Sequence, residues 1–129
     1  MRMLLAISLA AAISSPAFAA DAANGEQVFK ACAVCHAVGP NAKNRVGPEL
    51  NGVVGRKWGA ADGFSYSSDL AEGKTGGKVW DEATLDKYIE NPKAVAPKGK
   101  MPYAGLKDAG KRADLIAYLK QFDASGNKK

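Results

Sequence analysis

Apolar residues recur at helical spacing in three stretches of the chain, and long irregular segments separate these stretches. The first runs from Asp21 to about Ala33, the second from Asp81 to Glu90, and the third from about Asp108 to Phe122. They predict three main helices, and Asp108 is the expected N-cap of the third. The inward faces are predicted to carry Val28, Phe29 and Cys32, then Leu85, Tyr88 and Ile89, then Leu115, Ile116, Leu119 and Phe122.

The remaining segments are rich in glycine and proline, of which the chain has 14 and 6. Residues 37–66 are predicted to form a long ordered loop, and its apolar content indicates that it wraps around something. A short helical turn is expected at 67–72, an exposed loop at 74–78, an irregular stretch at 93–103 and a frayed end at 123–129. No segment shows sustained strand alternation, so the fold class is all-α. The apolar residues of the long loop are Val46, Leu50, Val53, Val54, Trp58 and Phe64.

The first 19 residues have the features of a cleaved export signal. Arg2 is followed by an apolar run over 4–13, and Ala17-Phe18-Ala19 matches a signal-peptidase site. The alternative is an uncleaved membrane anchor, but the run covers 10 residues, whereas a span needs about 20. We therefore expect cleavage after Ala19 or Ala20, and a domain over residues 20–129 that is exported to the periplasm.

The charge of the chain favours acidic protein surfaces as partners. The net charge is +5, and removal of Arg2 with the leader leaves +4. A moderate basic excess speeds encounter with acidic surfaces. Export and the lack of a dense Lys/Arg run exclude nucleic acid as a partner. No later segment is long enough to cross a membrane, so we expect a protein that is not membrane-embedded. We also expect a monomer.

The segment from Cys32 to His36 has the C-x-x-C-H pattern of covalent haem c attachment. Each thiol adds to one haem vinyl group, and the imidazole becomes an axial ligand of the iron. A disulfide, half a zinc site or a thioredoxin-like pair would also use C-x-x-C. However, a disulfide here closes little chain entropy, the chain has no other Cys or His for zinc, and no strand precedes the motif. The pattern therefore predicts one covalent haem.

Met101 is the candidate for the second axial ligand. Met1 and Met3 leave with the leader, so Met101 is the one methionine of the mature chain. It lies in a loop bracketed by Pro and Gly, where ligation would clamp the loop across the haem from His36. A lone Met is otherwise a core filler. Lys98 and Lys100 compete as ligands only at raised pH, since a protonated amine cannot bind iron.

A wider set of residues accompanies this motif over essentially the whole mature chain. It comprises Gly25, Phe29, Gly47-Pro48, Asn51-Gly52, Gly55-Arg56-Lys57, Gly63-Phe64-Ser65-Tyr66, Trp80, Tyr88, Asn91-Pro92-Lys93, Lys100-Met101, Ala104-Gly105 and the segment 112–119. With these residues the sequence resembles the class I c-type cytochromes, of the soluble bacterial kind close to mitochondrial cytochrome c. The resemblance implies the cytochrome c fold around one covalent haem.

The resemblance also implies roles for residues around the haem. The Pro48 carbonyl accepts the second ring N–H of His36, and the Tyr88 hydroxyl points at the Met101 sulfur. Gly25 and Phe29 join the first helix to the last. A buried haem propionate is expected to receive N–H and O–H donors from Arg56, Tyr66 and Trp80.

The sequence departs from the family in the same region. Leu70 stands where a polar haem neighbour is typical, and Gly99 stands where the family usually has a Thr that bonds a propionate. The segment 67–79 is longer than the family pattern, and the one between Phe29 and Cys32 is shorter. The propionate bond from position 99 is therefore not expected here.

Two protein ligands leave the iron no open position, so the expected function is one-electron transfer and not catalysis. A haem peroxidase, the rival among enzymes, would require Met101 to be displaced. Thioether ligation favours ferrous iron and a fairly high potential. The resemblance implies a membrane cytochrome complex as donor and a terminal oxidase or photosynthetic reaction centre as acceptor; a periplasmic dehydrogenase is the alternative partner. The candidate docking residues at the haem edge are Lys30, Arg45, Lys93, Lys98, Lys100 and Lys107.

Overall fold

The computed structural model describes residues 19–129, and this part of the chain holds five α-helices and no strand. They are α1 (Ala22–Phe29), α2 (Ser68–Thr75), α3 (Glu82–Glu90), α4 (Pro92–Val95) and α5 (Ala109–Leu119). The all-α class is confirmed, and the three main helices that the sequence predicts correspond to α1, α3 and α5. None of the described helices combines the length and hydropathy that a membrane span needs. The predicted leader, residues 1–19, lies outside the described residues except for Ala19.

Aspartate side chains fix the starts of α1, α3 and α5. Asp21, Asp81 and Asp108 each stand just before a helix, and each carboxylate accepts a backbone N–H from the first turn. Such capping satisfies donors that have no partner within the helix. The N-cap predicted at Asp108 is therefore confirmed.

Three helix boundaries differ from the prediction. The helix α1 ends at Phe29 and not near Ala33, because the chain tightens there into turns in which the Cys32 N–H bonds to the Phe29 carbonyl at 2.8 Å. The helix α2 extends to Thr75, beyond the short turn expected at 67–72. The helix α5 ends at Leu119, before the predicted end at Phe122.

The short helix α4 was not predicted. Asn91 ends α3 in an extended conformation, as the following proline requires. Pro92 then occupies the first position of α4, where a missing N–H costs nothing and the fixed φ suits a helix. The segment predicted as irregular from residue 93 therefore begins with one helical turn.

The C-terminal segment 123–129 is ordered, so the prediction that it frays is wrong. The Asp123 N–H bonds to the Asn127 carbonyl at 3.0 Å, and the Lys129 N–H bonds to the Gln121 carbonyl at 2.8 Å. Gly126 is buried with φ +82°, and a Cβ there would overlap the Gly39 carbonyl. This long-range contact cannot be seen in the local composition.

The core forms where α1 crosses α5. Gly25 and Phe29 lie against α5, and the Phe29 and Tyr118 ring centroids are 5.4 Å apart. A second aromatic group joins the irregular segment to α3, since Trp80 stacks on Trp58 at 4.6 Å and contacts Tyr88 at 4.7 Å. The buried core residues are Phe29, Val53, Trp58, Trp80, Leu85, Ile89, Leu115, Ile116, Tyr118, Leu119 and Phe122.

Candidate functional site

A cavity of about 420 Å³ lies between the helices and the long loop. Its lining includes core residues of α1, α3 and α5 together with loop residues from 46 to 67. The long loop does surround a space, as its apolar content predicts, although Val46 is 73% exposed. The predicted site residues that line this one cavity are Cys32, Cys35, His36, Pro48, Arg56, Tyr66, Trp80, Tyr88, Lys100 and Met101.

The Cys32–His36 segment follows α1 as a compact pair of turns. The N–H groups of Cys35 and His36 both bond to the Cys32 carbonyl, at 3.0 and 2.9 Å. Both thiols are free and partly buried. Burial, and then the nearby Cys35, raise the pKa of the Cys32 thiol above its ordinary value. Within residues 19–129 no group of three or more His, Cys, Asp or Glu side chains could hold a metal ion, so the zinc alternative has no support.

The His36 ring is held in one orientation by Pro48 and Gly47. The Nδ1–H donates to the Pro48 carbonyl at 2.7 Å, which leaves Nε2 with its lone pair. Burial lowers the pKa of His36 although the Pro48 bond raises it, so the ring is neutral, as a metal ligand must be. A Cβ on Gly47 would lie 2.5 to 2.9 Å from three ring atoms. Position 47 must therefore be glycine for the ring to stand where it does.

Met101 lies in the irregular segment between α4 and α5 and is partly buried. Its carbonyl accepts the Tyr103 N–H at 2.9 Å, which turns the chain directly after it. Tyr88 lines the same cavity. Burial, and then the negative charge of Asp69, raise the pKa of Tyr88 to about 12, so its hydroxyl keeps its proton.

The three expected propionate donors line the cavity but differ in what they already bind. Arg56 bonds to the Asn51 carbonyl at 2.8 Å and forms an ion pair with Glu49 at 3.1 Å, which sequence reasoning did not foresee. The Tyr66 hydroxyl accepts the Ala61 N–H at 2.9 Å, and its own proton stays available. Trp80 is held by ring contacts with Trp58 and Tyr88.

Comparison with known proteins gives the family. The family model for cytochrome c matches residues 22–123. Cytochrome c2 of Blastochloris viridis is 51% identical over 128 residues, covering 99% of this chain and 98% of that protein. Cytochrome c-550 of Ancylobacter novellus is 51% identical over 106 residues, covering 82% and 99%. The solved structure of cytochrome c2 from Rhodospirillum centenum superposes with a TM-score of 0.75 at 39% identity, over 80% of this chain and 98% of that one.

The chain belongs to the cytochrome c family. Proteins of this family bind one covalent haem c and carry electrons; they are not enzymes. The described residues fit that group, because a largely apolar cavity meets two free thiols and a neutral imidazole with an unprotonated Nε2. Because Gly47 has no side chain, the imidazole fits against it.

The six basic residues expected at the docking face of this cytochrome are all exposed, but only Lys100 lines the cavity. Arg45 and Lys93 donate to the carbonyls of Ala33 and Gly99, at 2.9 and 2.8 Å. Lys107 donates to the Glu90 carbonyl at 2.6 Å. Three of the six basic side chains therefore also stabilise the fold through hydrogen bonds to the backbone. Lys30 and Lys98 are exposed and lie outside the cavity lining.

Sequence reasoning missed three residues of this cytochrome that shape the site. Trp58 was assigned only to the loop, yet it supports Trp80, and its buried Nε1–H has no partner among the described residues. Glu49 engages Arg56. Asp69 bonds to the backbone ahead of Met101. No local pattern signals these contacts, because each partner lies seven or more residues away along the chain.

Proposed function

We propose that this cytochrome is a soluble periplasmic carrier of single electrons. Haem c is attached to Cys32 and Cys35, and its iron is held axially by His36 and Met101. The signal at residues 1–19 directs export and is removed. The donor is a membrane cytochrome complex or a periplasmic dehydrogenase, and the acceptor is a terminal oxidase or photosynthetic reaction centre. One observation carries the proposal: the two thiols, the imidazole and Met101 all line a single apolar cavity.

The protein residues set the properties of the carrier. When bound, haem c supplies an iron that alternates between the ferric and ferrous states. His36 and Met101 would both ligate the iron, and oxygen or peroxide would then have to displace one of them. Because the same ligands serve both oxidation states, little has to reorganise. The Met101 thioether and the apolar lining favour the ferrous state and so raise the potential.

The surrounding polar groups hold these ligands. The Pro48 carbonyl keeps His36 in the tautomer that presents Nε2. We propose that the Tyr88 hydroxyl, which lines the same cavity as Met101, donates to the Met101 sulfur when the haem is bound. Arg56, Tyr66 and Trp80 offer donors to a propionate, although Glu49 shares the Arg56 guanidinium.

The test is an optical redox titration of the mature protein, made in a host that matures cytochromes, beside Met101→Ala. We expect colour that stays with the denatured chain, strong-field spectra in both states, and a marked fall in potential for Met101→Ala. A colourless chain with a Cys32–Cys35 disulfide would refute the proposal, and an unchanged potential in Met101→Ala would refute the axial ligand.

The docking residues have a separate test. We expect electron transfer to an acidic oxidase to slow about fivefold on raising salt, because surface charges are screened. Lys100→Ala should slow the transfer at low salt. Lys111→Ala removes the same charge from α5, outside the cavity lining, and serves as the control. Equal rates for the two variants would remove Lys100 from the docking face.

A further inference from the structure

The segment 96–103, named here the Met101 loop, is tied to a distant part of the chain by Asp69. An oxygen of the Asp69 carboxylate accepts the Lys98 backbone N–H at 2.8 Å, across a sequence separation of 29 residues. The donor stands three residues before Met101. The bond therefore joins α2 to the loop that carries the proposed axial ligand.

The Asp69 carboxylate is itself held in place at the start of α2. Its other oxygen accepts the Ser67 hydroxyl at 2.5 Å and the Leu70 N–H at 3.0 Å. Slight burial raises the pKa of Asp69, but the hydrogen bonds from Ser67, Lys98 and Leu70 lower it by more. The pKa of Asp69 is therefore below its ordinary value. The group is thus an ionised and oriented acceptor at neutral pH, which makes each bond stronger than a neutral one.

Among the described residues, the Met101 loop makes few other hydrogen bonds to the rest of the chain. Gly99 has no side chain to anchor it, and a Cβ there would lie 2.9 Å from the Ala96 carbonyl. The Gly99 N–H bonds within the loop, to Ala96, and the Gly99 carbonyl accepts the exposed Lys93 ammonium at 2.8 Å. Lys93 belongs to α4, which directly precedes the loop. Within residues 19–129, Asp69 is therefore the side chain that hydrogen-bonds the Met101 loop from a separate element.

We infer that Asp69 is a positioning residue that keeps the Met101 loop closed over the haem and so limits replacement of Met101 by an external ligand. This inference rests on the proposed function, in which Met101 binds the iron. The Asp69–Lys98 bond exists only while the loop is in place. Its loss raises the fraction of molecules in which the loop is open, and the apparent affinity for an external ligand rises by the same factor.

The experiment is a titration of the ferric haem protein with imidazole at fixed near-neutral pH and ionic strength, followed by optical absorption. For Asp69→Ala we expect imidazole to bind about fivefold more tightly than to the native protein, the loss expected for a partly exposed bond to a charged acceptor. Asp69→Asn keeps an acceptor oxygen and should fall between the two. Glu72→Ala, which removes a carboxylate from the exposed side of the same helix, should match the native protein.

Equal imidazole affinities in Asp69→Ala and Glu72→Ala would overturn the inference. So would a lower unfolding midpoint in Asp69→Ala with unchanged imidazole affinity, because that would be a purely structural effect. If Asp69→Ala fails to accumulate, the Asp69→Asn titration decides, and no tightening there overturns the inference as well. Met101→Ala separates the two proposals: if it binds imidazole no more tightly than the native protein, Met101 is not the ligand and the proposed function fails at that point.

Discussion

Replacement of Gly25 by alanine tests the contact between the terminal helices. A Cβ on Gly25 would overlap the Asp114 carbonyl and lie 2.7 Å from the Tyr118 Cβ, where ordinary contact begins at 3.4 Å. Both obstacles belong to α5, and neither is the far end of a flexible side chain. The Asp114 side chain also accepts the Asp21 N–H at 2.8 Å, which ties the start of α1 to the same turn. The helices must therefore separate.

The size of the effect follows from that separation. A gap of roughly 0.5–1 Å forfeits a quarter to a half of the dispersion attraction between packed atoms. Applied to Phe29 and Tyr118, each worth about 1.5–3 kcal/mol when buried, this loss is about 0.8–3 kcal/mol. The displaced Asp114 backbone adds to it, while alanine in a helix recovers about 1 kcal/mol. We expect Gly25→Ala to lower the free energy of unfolding by about 1–3 kcal/mol, the usual range for overpacking.

Urea unfolding followed by far-UV circular dichroism measures this loss. The matched control is Gly110→Ala in α5, where the nearest atom to a new Cβ is an oxygen of the N-cap Asp108 carboxylate at 3.3 Å. That variant should change the free energy of unfolding by less than about 1 kcal/mol. Gly25→Ser should be at least as unstable as Gly25→Ala. If Gly25→Ala is as stable as Gly110→Ala, the helices do not meet at Gly25 as described.

Three other changes give shorter tests. Arg112→Ala removes a buried guanidinium that bonds Asp86 at 2.8 Å and two backbone carbonyls; urea unfolding should show a loss of about 2–3 kcal/mol, and Asp86→Ala should lose less. Gly126→Ala places a side chain at φ +82° against Gly39; exchange of the Gly39 amide should quicken about fivefold, and an unchanged rate would contradict the contact. The pKa of Asp69 is lowered in the folded protein, so the ionised carboxylate stabilises the fold fully above the ordinary carboxyl pKa, and this stabilisation is lost as pH falls through the folded pKa. The free energy of unfolding should therefore fall less steeply with acid in Asp69→Asn. A series of urea titrations at different pH values measures this.

The parts of this molecule that depend on local rules could be predicted from the sequence. The all-α class and the N-cap at Asp108 follow from periodicity and from the short side chain of aspartate. The exclusion of other uses for Cys32 and Cys35 rested on counting ligands along the chain. The short helix α4 could also have been found, because Pro92 suits a first helical position as well as it ends the preceding helix.

The parts that depend on contacts distant in sequence could not be predicted. The order of the C-terminal segment comes from Gly126 lying on Gly39, which no pattern within 123–129 reveals. The role of Trp58 comes from its stacking on Trp80. In the sequence, Glu49 and Asp69 look like ordinary solvent-exposed charges. Only the folded chain places Glu49 beside Arg56 and Asp69 beside the Lys98 N–H.

The hydrogen bonds near His36 are buried, whereas those near Met101 are exposed. On the His36 side, buried Asn51 bonds both backbone groups of Gly39, at 2.8 and 3.0 Å, and the C-terminal segment covers this pair. On the Met101 side, the ties from Asp69 and Lys93 are exposed. Local opening occurs where few buried contacts oppose it. If His36 and Met101 ligate the iron as proposed, we therefore expect exchange of a ligand to begin at Met101 and not at His36.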